Sequence, residues 1–317
     1  MKAPITQTKA WQNLQNDLQE TSFFNEGSGY QYLAILKHTP VGNYLYLPYG
    51  PVYEGKRGRE NALKSLNLLA ERQHAIFIRV EPTNPDFVNH LPSNAKKTKD
   101  LSPKETWVLD LNGDKQTIIS NFSHGVRNPY NTATKRGLII ERTTDPDEIK
   151  HLVTLQHALA KAKKIQPYPA EYLKTELKQP FATLYQVKYQ RPEGVEASET
   201  LPADGQVIAA SLFFDYDGTR YYMQSASNNT YKKLPATVAL LATSVIDAKE
   251  KGIKHFDFWG IAPEGADPSH PWYGFTRFKK SFGGREVNYA GTYDLILSPA
   301  KYKLYQVLRK LNQLRKS

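Results

Sequence analysis

The segment HFDFWGIAPEGADPSHPWYGFTRFKKSFGGREVNYAGTYD, residues 255–294, contains a strand pattern followed by a helix pattern. Aromatic residues alternate over His255–Trp259, which is typical of a half-buried strand. After a proline-rich loop, phenylalanines recur at spacings of three and four, which predicts a short helix with its rings on one side. Arg277, Lys279 and Lys280 lie off that apolar side. A strand end beside a cationic helical turn is suited to hold an anion or a developing oxyanion.

The same succession of elements is predicted twice along the chain. The first half has strand patterns at 30–37 and 43–47, a helix pattern at 59–73 and a strand pattern at 75–80; the second half has strand patterns at 207–214 and 219–225, a helix pattern at 236–249 and the strand at 255–259. Asp217-Gly218 is a strong hairpin signal, because glycine supplies the positive φ that such turns require. Each half is therefore a hairpin, a helix and a strand, which predicts an α+β fold with mixed sheets.

Two other segments have weaker patterns. Residues 114–135 are predicted to be mainly helical, with a break or kink at Pro129, because proline lacks a backbone donor and its ring clashes with the preceding turn. Residues 289–297 are predicted to form a last strand before a C-terminal helix that begins at Pro299.

The composition limits the classes of function. At 317 residues the chain is long enough for two domains, and 40% hydrophobic with 23% charged residues argues against disorder. It has no cysteine, which excludes disulfides and thiolate metal sites, and its eight histidines show no metal-ligand spacing, so we expect no metal. No apolar run approaches the roughly 18 residues that span a bilayer, and the N-terminal residues lack the apolar core of a signal peptide. We therefore expect a cytoplasmic protein.

The chain is basic, with 42 lysine and arginine residues against 31 acidic ones and a net charge of +11. Long-range attraction to polyanions follows, whether these are nucleic acid, anionic lipid or a phosphorylated substrate. A protein that is merely soluble and basic has the same charge, so charge alone does not select among these partners.

The motifs DFWGI, G-F-x-R-F-K-K-x-F-G-G and A-G-T-Y-D, in this order within 255–294, resemble the C-terminal signature of the Fem (FemABX) family. Fem proteins are aminoacyltransferases that extend the stem peptide of peptidoglycan precursors with aminoacyl-tRNA as donor. They resemble two tandem GNAT-like (acyl-CoA N-acyltransferase-like) domains. The resemblance implies a first domain of residues 1–145 plus 295–317 and a second of 146–294. No heptad stretch matches the helical hairpin of many Fem proteins, so the chain resembles the compact members.

The resemblance implies that the catalytic cation is Lys279, which follows Phe278, and that it stabilises the oxyanion formed during acyl transfer. Lys280 is the alternative. The structural alternative is that both lysines simply lie on the solvated face of a short amphipathic helix, which has the same pattern of residues.

The resemblance also implies an acceptor site in the second domain, where a basic residue is followed four positions later by tyrosine. Lys164 and Tyr168 have that spacing, although lysine loses the bidentate grip of the more usual arginine. In the first domain Gln15 stands where the family has a cation. This difference points to altered phosphate recognition or an altered acceptor.

The other candidates for substrate binding are Tyr49, Tyr222, Ser225, Asp257, Trp259 and Arg277. Tyr49 lies in the rigid segment 47–52, which is either a groove wall or a turn fixed by two prolines. Tyr222 and Ser225 either face the cleft or pack across strands. Asp257 and Asp294 are candidates for a general base, but a carboxylate on a strand also commonly pairs with backbone or lysine.

The turn before the 236–249 helix, Tyr231–Ala236, argues against coenzyme A. In the GNAT fold a glycine-rich turn presents backbone N–H groups to the pyrophosphate, whereas Leu234 and Pro235 stand here. We therefore expect no cofactor. An N-acyltransferase with another donor and a non-catalytic basic tRNA- or RNA-binding protein remain alternatives.

The C-terminal helix has Leu304, Leu308, Leu311 and Leu314 on one side, with lysine and arginine around them. It is expected either to dock on the first domain, as in Fem proteins, or to lie on a membrane surface. The partners implied are aminoacyl-tRNA and a UDP-linked or lipid-linked muramyl peptide precursor, with peripheral contact to the anionic inner face of the membrane. We expect a monomer.

Overall fold

The computed structural model describes residues 2–163 and 166–314, with side chains through Asn312. Contacts group the chain into two compact units: unit 1 is residues 1–104 with 288–317, and unit 2 is residues 105–287. In the described ranges no helix combines the length and hydrophobicity needed to cross a membrane.

Fourteen strands and nine α-helices make up the described chain. The strands are β1 (Ser22–Gly27), β2 (Tyr30–Thr39), β3 (Gly42–Leu47), β4 (Val52–Tyr53), β5 (Ala75–Val80), β6 (Ala95–Lys97), β7 (Glu105–Asp110), β8 (Leu138–Thr143), β9 (Ala182–Tyr189), β10 (Val207–Tyr216), β11 (Thr219–Ser227), β12 (His255–Gly260), β13 (Arg285–Asn288) and β14 (Tyr293–Ile296). The helices are α1 (Lys9–Asp17), α2 (Gly55–Arg72), α3 (Lys115–Asn121), α4 (His124–Thr132), α5 (Ile149–Lys163), α6 (Ala170–Leu177), α7 (Ala236–Glu250), α8 (Tyr273–Lys280) and α9 (Pro299–Leu314).

Unit 1 has one mixed sheet with the strand order β1-β2-β3-β5-β14-β6, and β4 pairs with β2. β2 and β3 form an antiparallel hairpin, and β5 returns parallel to β3 after α2 crosses over. α2 buries Ala62, Leu66 and Ala70 completely, because residues four apart lie on one helical face. The predicted hairpin, helix and strand of the first half are confirmed.

Unit 2 repeats this arrangement in a sheet with the order β13-β7-β12-β11-β10-β9-β8. The β10–β11 hairpin turns at Asp217 and Gly218, whose φ angles of 43° and 71° are those of the primed turns that suit strand twist. After α7, β12 pairs parallel to β11. Leu241 and Val245 of α7 are fully buried in the core. The predicted α+β class with mixed sheets is confirmed.

The boundaries of the two units differ from the predicted division at 145/146 and 294/295. β7 pairs antiparallel with β12, and Leu109 of β7 packs in the same core cluster as Phe256 of β12. Residues 105–145 therefore belong to unit 2 by their contacts. Hydrogen-bond pairing decides which sheet a strand joins, and the sequence of β7 by itself does not encode its partner.

Two predicted elements were wrong in detail. The helical segment 114–135 breaks at Phe122 and Ser123, where the Ser123 N–H donates to the Ser281 carbonyl, while Pro129 lies inside α4. The strand predicted at 289–297 is limited to β14, because residues 289–292 bond elsewhere, as the Ala290 N–H does to the Pro82 carbonyl. β1 was not predicted at all.

A buried ion pair joins β5 and β14 in the sheet of unit 1, and a tyrosine of α9 bonds to it. The Arg79 guanidinium, 2% exposed, donates to both oxygens of Asp294 at 2.7 and 2.8 Å. The Tyr302 hydroxyl of α9 donates to the same carboxylate at 2.8 Å. Asp294, a sequence candidate for a general base, is therefore fully buried and engaged by structural partners. Docking of α9 on the first unit is confirmed.

Candidate active site

The buried side of α8 is formed by Thr276 and Lys279, which are 9% and 8% exposed. The aromatic side was expected to be the packed one, yet Phe275 is 48% exposed and Phe278 is only partly buried. The Thr276 hydroxyl accepts a hydrogen bond from the Ala262 N–H at 2.8 Å, which ties α8 to the segment after β12. This contact turns the third residue along, Lys279, toward the protein interior.

The Lys279 ammonium donates to the carbonyl of Gly260, the last residue of β12, at 2.5 Å. Burial lowers the pKa of Lys279 to about 8, and the nearby Asp257 carboxylate opposes that shift. The side chain is therefore mostly cationic near neutral pH. An ammonium has three N–H donors. Gly260 is the one hydrogen-bond partner of this ammonium among the described residues, so two donors remain for another acceptor.

Asp257 organises the end of β12. It is 5% exposed, and its Oδ1 accepts hydrogen bonds from the Thr106 hydroxyl and the Trp259 N–H, both at 2.7 Å. Burial raises the pKa of Asp257, while these hydrogen bonds and Lys279 act in the opposite direction. These contacts make Asp257 a partner of backbone and hydroxyl groups beside the lysine.

A β-bulge lies between Asp257 and Gly260. The register against β7 passes from the Asp257–Val108 pair to the Gly260–Thr106 pair, so β12 has one extra residue there. Trp259 occupies that region with a φ of 65°, a conformation uncommon for non-glycine residues. The hydrogen bond from Trp259 to Asp257 holds this turn, and the next carbonyl, that of Gly260, is the one that Lys279 contacts.

The other cations of α8 differ from Lys279 in environment. Lys280 is exposed, and its amine lies 5.0 Å from the centroid of the Trp107 ring. Arg277 is also exposed. Phe278 lies edge-on to the fully buried Phe282, with ring centroids 5.4 Å apart.

Tyr222 and Ser225 meet on the hairpin of unit 2. The Tyr222 ring stacks on Phe213 at 5.5 Å, and its hydroxyl is hydrogen-bonded with Ser225 and Ser211. The hydroxyls of Ser211 and Ser225 are 2.9 Å apart, and burial raises the pKa of Tyr222. The pair thus combines cross-strand packing with a cluster of three hydroxyls.

Of the two predicted acceptor residues with the lysine–tyrosine spacing, only Tyr168 is among the described residues, and it lies just before α6. Tyr168 is 48% exposed and stacks on Tyr172 with centroids 5.3 Å apart. Lys164 lies outside the described residues.

Tyr49 belongs to unit 1, whereas the other described candidates for substrate binding belong to unit 2. It is 5% exposed, and its hydroxyl donates to the Pro103 carbonyl at 2.9 Å. Its ring lies edge-on to Tyr289. These contacts match the fixed-turn alternative of the sequence analysis.

Three buried residues with a structural role or a shifted pKa were missed in the sequence. Thr106 and Thr276 hold β12 and α8, and no motif marks them. Glu176 is 1% exposed, and burial raises its pKa to about 8. Its hydrogen-bond partner is Tyr172, and its Oε2 has no partner within the described residues. Its position four residues after Tyr172, beside the buried Leu173, was a readable signal for this buried acid.

No group of three His, Asp or Glu side chains in the described ranges is arranged to hold a metal.

Comparisons with known proteins agree on family and fold. The sequence model of the FemAB family matches residues 150–310, just over half of the chain. The lipid II:glycine glycyltransferase of Staphylococcus saprophyticus is 21% identical over 321 aligned positions, which cover 81% of this chain and 77% of that enzyme.

The crystal structure of FemX matches with a TM-score of 0.81 at 18% identity, covering 95% of this chain and 94% of FemX. A tandem GNAT protein from the clavulanic acid biosynthesis pathway matches with a TM-score of 0.51 at 10% identity, covering 85% of this chain and 80% of that protein. The expectation of a tandem GNAT-like fold is confirmed.

Proposed function

Because this chain belongs to the FemAB family, we propose that it transfers an amino acid from aminoacyl-tRNA to the stem-peptide amine of a peptidoglycan precursor, as in interpeptide bridge formation. The relative from Staphylococcus saprophyticus is named for glycyl transfer to lipid II, which supports this reaction class. The observation that carries the proposal is the buried ammonium of Lys279 at the end of β12.

The aminoacyl ester is already activated, so the enzyme needs to orient the amine and to stabilise negative charge. The acceptor nitrogen attacks the ester carbonyl, and the carbonyl oxygen becomes an oxyanion. The C–O bond to the tRNA ribose then breaks, and the amine proton leaves with the ribose oxygen. The two remaining N–H donors of Lys279 are suited to bind the oxyanion, and a desolvated cation stabilises such charge more strongly than one in water.

Lys279 is favoured over Lys280 because it alone of the two is buried and fixed by a carbonyl. Phe278 supports it through packing on Phe282. A cation held by one hydrogen bond needs little rearrangement when charge develops, and that preorganisation is the main source of catalysis of this kind.

The acceptor is assigned to the remaining candidates, which the proposal treats as binding residues. These are Lys164, Tyr168, Tyr222, Ser225, Asp257, Trp259 and Arg277. Tyr49 is not included, because it is buried and its hydroxyl donates to the Pro103 carbonyl within unit 1. Exposed rings such as Tyr168 offer flat surfaces to a sugar or base, and Arg277 offers a fork for a phosphate or carboxylate. The acceptor is either UDP-linked or lipid-linked. The protein is proposed to act in the cytoplasm as a monomer, with peripheral access to the inner face of the membrane.

Coenzyme A is not part of the proposal. At the turn before α7, the Leu234 N–H donates to the Tyr231 carbonyl at 2.9 Å and the Ala236 N–H donates to the Leu234 carbonyl at 2.8 Å. Pro235 between them has no N–H. At these three positions, where a pyrophosphate-binding turn would present backbone donors, two N–H groups are used within the turn and the third position has none.

The test is to incubate the purified protein with aminoacylated tRNA pools and with UDP-linked and lipid-linked precursors. The masses of the products are then measured by mass spectrometry. Addition of one amino acid residue to either precursor supports the function and identifies the acceptor. Lys279→Met is expected to lose transfer, whereas Lys280→Met on the same helix is expected to retain it. Transfer by Lys279→Met at the wild-type rate would overturn the role of Lys279. RNA binding without any transfer would favour the non-catalytic alternative.

A further inference from the structure

α9 docks through one face and leaves a second apolar face exposed. Tyr302 is buried against the sheet, with its ring edge-on to Phe77 at 5.2 Å. On another side, Leu304, Val307 and Leu311 are 51%, 48% and 50% exposed. Their spacings of three and four place them in one row along the helix.

This arrangement corrects the expectation that the leucines of α9 form its docking face. Tyrosines dock the helix, while Leu304 and Leu311 face away from the sheet. The side chain of Leu314 lies outside the described residues. Docking and surface binding, which were alternatives in the sequence, are therefore compatible.

The charged residues of the C-terminal segment are all cationic. Residues 295–317 contain six lysine and arginine residues and no acidic residue. Lys303, Arg309 and Lys310 of α9 line a groove of about 470 Å³ together with Lys96 and Lys99. None of these five side chains forms a salt bridge within the described part of the chain. A partner for this face must therefore supply negative charge and an apolar phase side by side.

We propose that α9 binds the surface of a bilayer that contains anionic lipid. Leu304, Val307 and Leu311 enter the boundary between headgroups and acyl chains, and Lys303 and Lys310 extend to the lipid phosphates. An anionic membrane surface offers both chemistries at once. Transfer RNA accounts for the cations but not for the aliphatic row, because leucine and valine offer no ring on which a base can stack.

This inference deepens the proposed function, since a protein held at the membrane reaches a lipid-linked acceptor. Vesicle binding needs no substrate and no turnover, so it can fail while transfer is observed, or the reverse.

The first experiment is co-sedimentation of the full chain with phosphatidylcholine vesicles and with vesicles that also contain phosphatidylglycerol. Wild type is expected to bind the anionic vesicles only. Leu304→Gln with Leu311→Gln, and separately Lys303→Gln with Lys310→Gln, are each expected to lower the bound-to-free ratio at least about tenfold. The matched control is Leu68→Gln, at a leucine of α2 that is 48% exposed, which is expected to bind as wild type does.

The second experiment measures insertion directly, because the chain has no cysteine. Val307→Cys, labelled with an environment-sensitive fluorophore, is expected to show blue-shifted emission on anionic vesicles, whereas labelled Leu68→Cys shows no shift. Exposed positions change stability little, and thermal unfolding confirms that each variant is folded.

The outcomes distinguish binding of α9 to anionic lipid from binding to RNA. Binding of bulk tRNA is expected to be unchanged in the leucine double variant. Absence of wild-type binding to anionic vesicles, or binding by the leucine double variant equal to wild type, overturns the proposal. So does a leucine double variant that loses tRNA binding while keeping vesicle binding.

Discussion

The ammonium of Lys279 lies 2.5 Å from the carbonyl oxygen of Gly260, so a cation on α8 is fixed to the terminal residue of β12. The bulge that precedes Gly260 is held by Asp257, whose carboxylate also moderates the effect of burial on the lysine pKa. One acidic side chain thereby influences both the position and the charge of the proposed catalytic group.

Replacement of Lys279 by methionine is expected to reduce transfer about 100- to 1,000-fold, the usual effect of removing one oxyanion donor. The fold should remain, because methionine fills the same space without a buried charge. Initial rates with saturating donor, together with circular dichroism, check both statements. Lys280→Met serves as the control, and an equal loss in both variants would contradict a specific role for Lys279.

The contribution of Lys279 is expected to fall as pH rises through about 8, the pKa to which burial lowers its amine. Above that pH the amine is neutral and no longer offers a positive charge to the oxyanion. The rate ratio of wild type to Lys279→Met isolates this effect, because ionisation of the substrates cancels. A ratio that instead increases through pH 8 would indicate that the neutral amine acts as a base.

Asp257→Asn is expected to move the midpoint of that profile to lower pH. Asparagine retains the oxygen that accepts from Thr106 and Trp259, so the bulge persists, but the carboxylate that favours the charged lysine is gone. The measurement is the same rate ratio as a function of pH. Loss of activity at every pH, with no shift of the midpoint, would point to Asp257 as a general base.

Glu176→Gln is expected to stabilise the protein at pH 8 but not at pH 4. The folded pKa of about 8 lies above the ordinary glutamate pKa of 4.5, so between these two pH values the unfolded chain ionises while the folded chain stays protonated, and stability falls as pH rises. At about 1.4 kcal/mol per pH unit, the loss between pH 5 and pH 8 reaches about 3–4 kcal/mol. Urea unfolding at both pH values measures it. The control is Glu171→Gln, at an exposed glutamate of the same helix. If the free energy of unfolding changes with pH by the same amount in wild type and in Glu176→Gln, the expectation is refuted.

Asp294→Asn is expected to destabilise unit 1 by about 3–5 kcal/mol, because it leaves the Arg79 guanidinium buried without a counter-charge. Tyr302→Phe removes one hydrogen bond to that carboxylate and should cost about 1 kcal/mol. Denaturant midpoints of the two variants give the comparison. Equal midpoints would show that the ion pair adds nothing beyond the tyrosine contact.

The sequence predicted the repeated hairpin, helix and strand because each part has a local signal, such as Asp217-Gly218 or the apolar spacing of α2. It did not predict that β7 joins the sheet of unit 2, since pairing with β12 depends on residues that lie about 150 positions away in the sequence. It also placed the helix break at Pro129, although a tertiary bond from Ser123 to Ser281 sets the actual break.

For the proposed site, the F-K-K motif pointed to α8, which stays a prediction, but the pattern of phenylalanines suggested the wrong buried face. The orientation of α8 is decided by the hydrogen bond between Thr276 and Ala262, which periodicity does not encode. Likewise, nothing local predicts a positive φ at Trp259, because the carboxylate of Asp257 and the register of β7 impose it together.

The Arg79–Asp294–Tyr302 cluster has a consequence for biosynthesis. β14 lies between β5 and β6 in the sheet, so unit 1 needs residues from both ends of its sequence to complete it. Unit 2 is contiguous and can fold while the ribosome is still translating residues beyond 287. The N-terminal strands of unit 1 cannot complete their sheet until β14 has been synthesised.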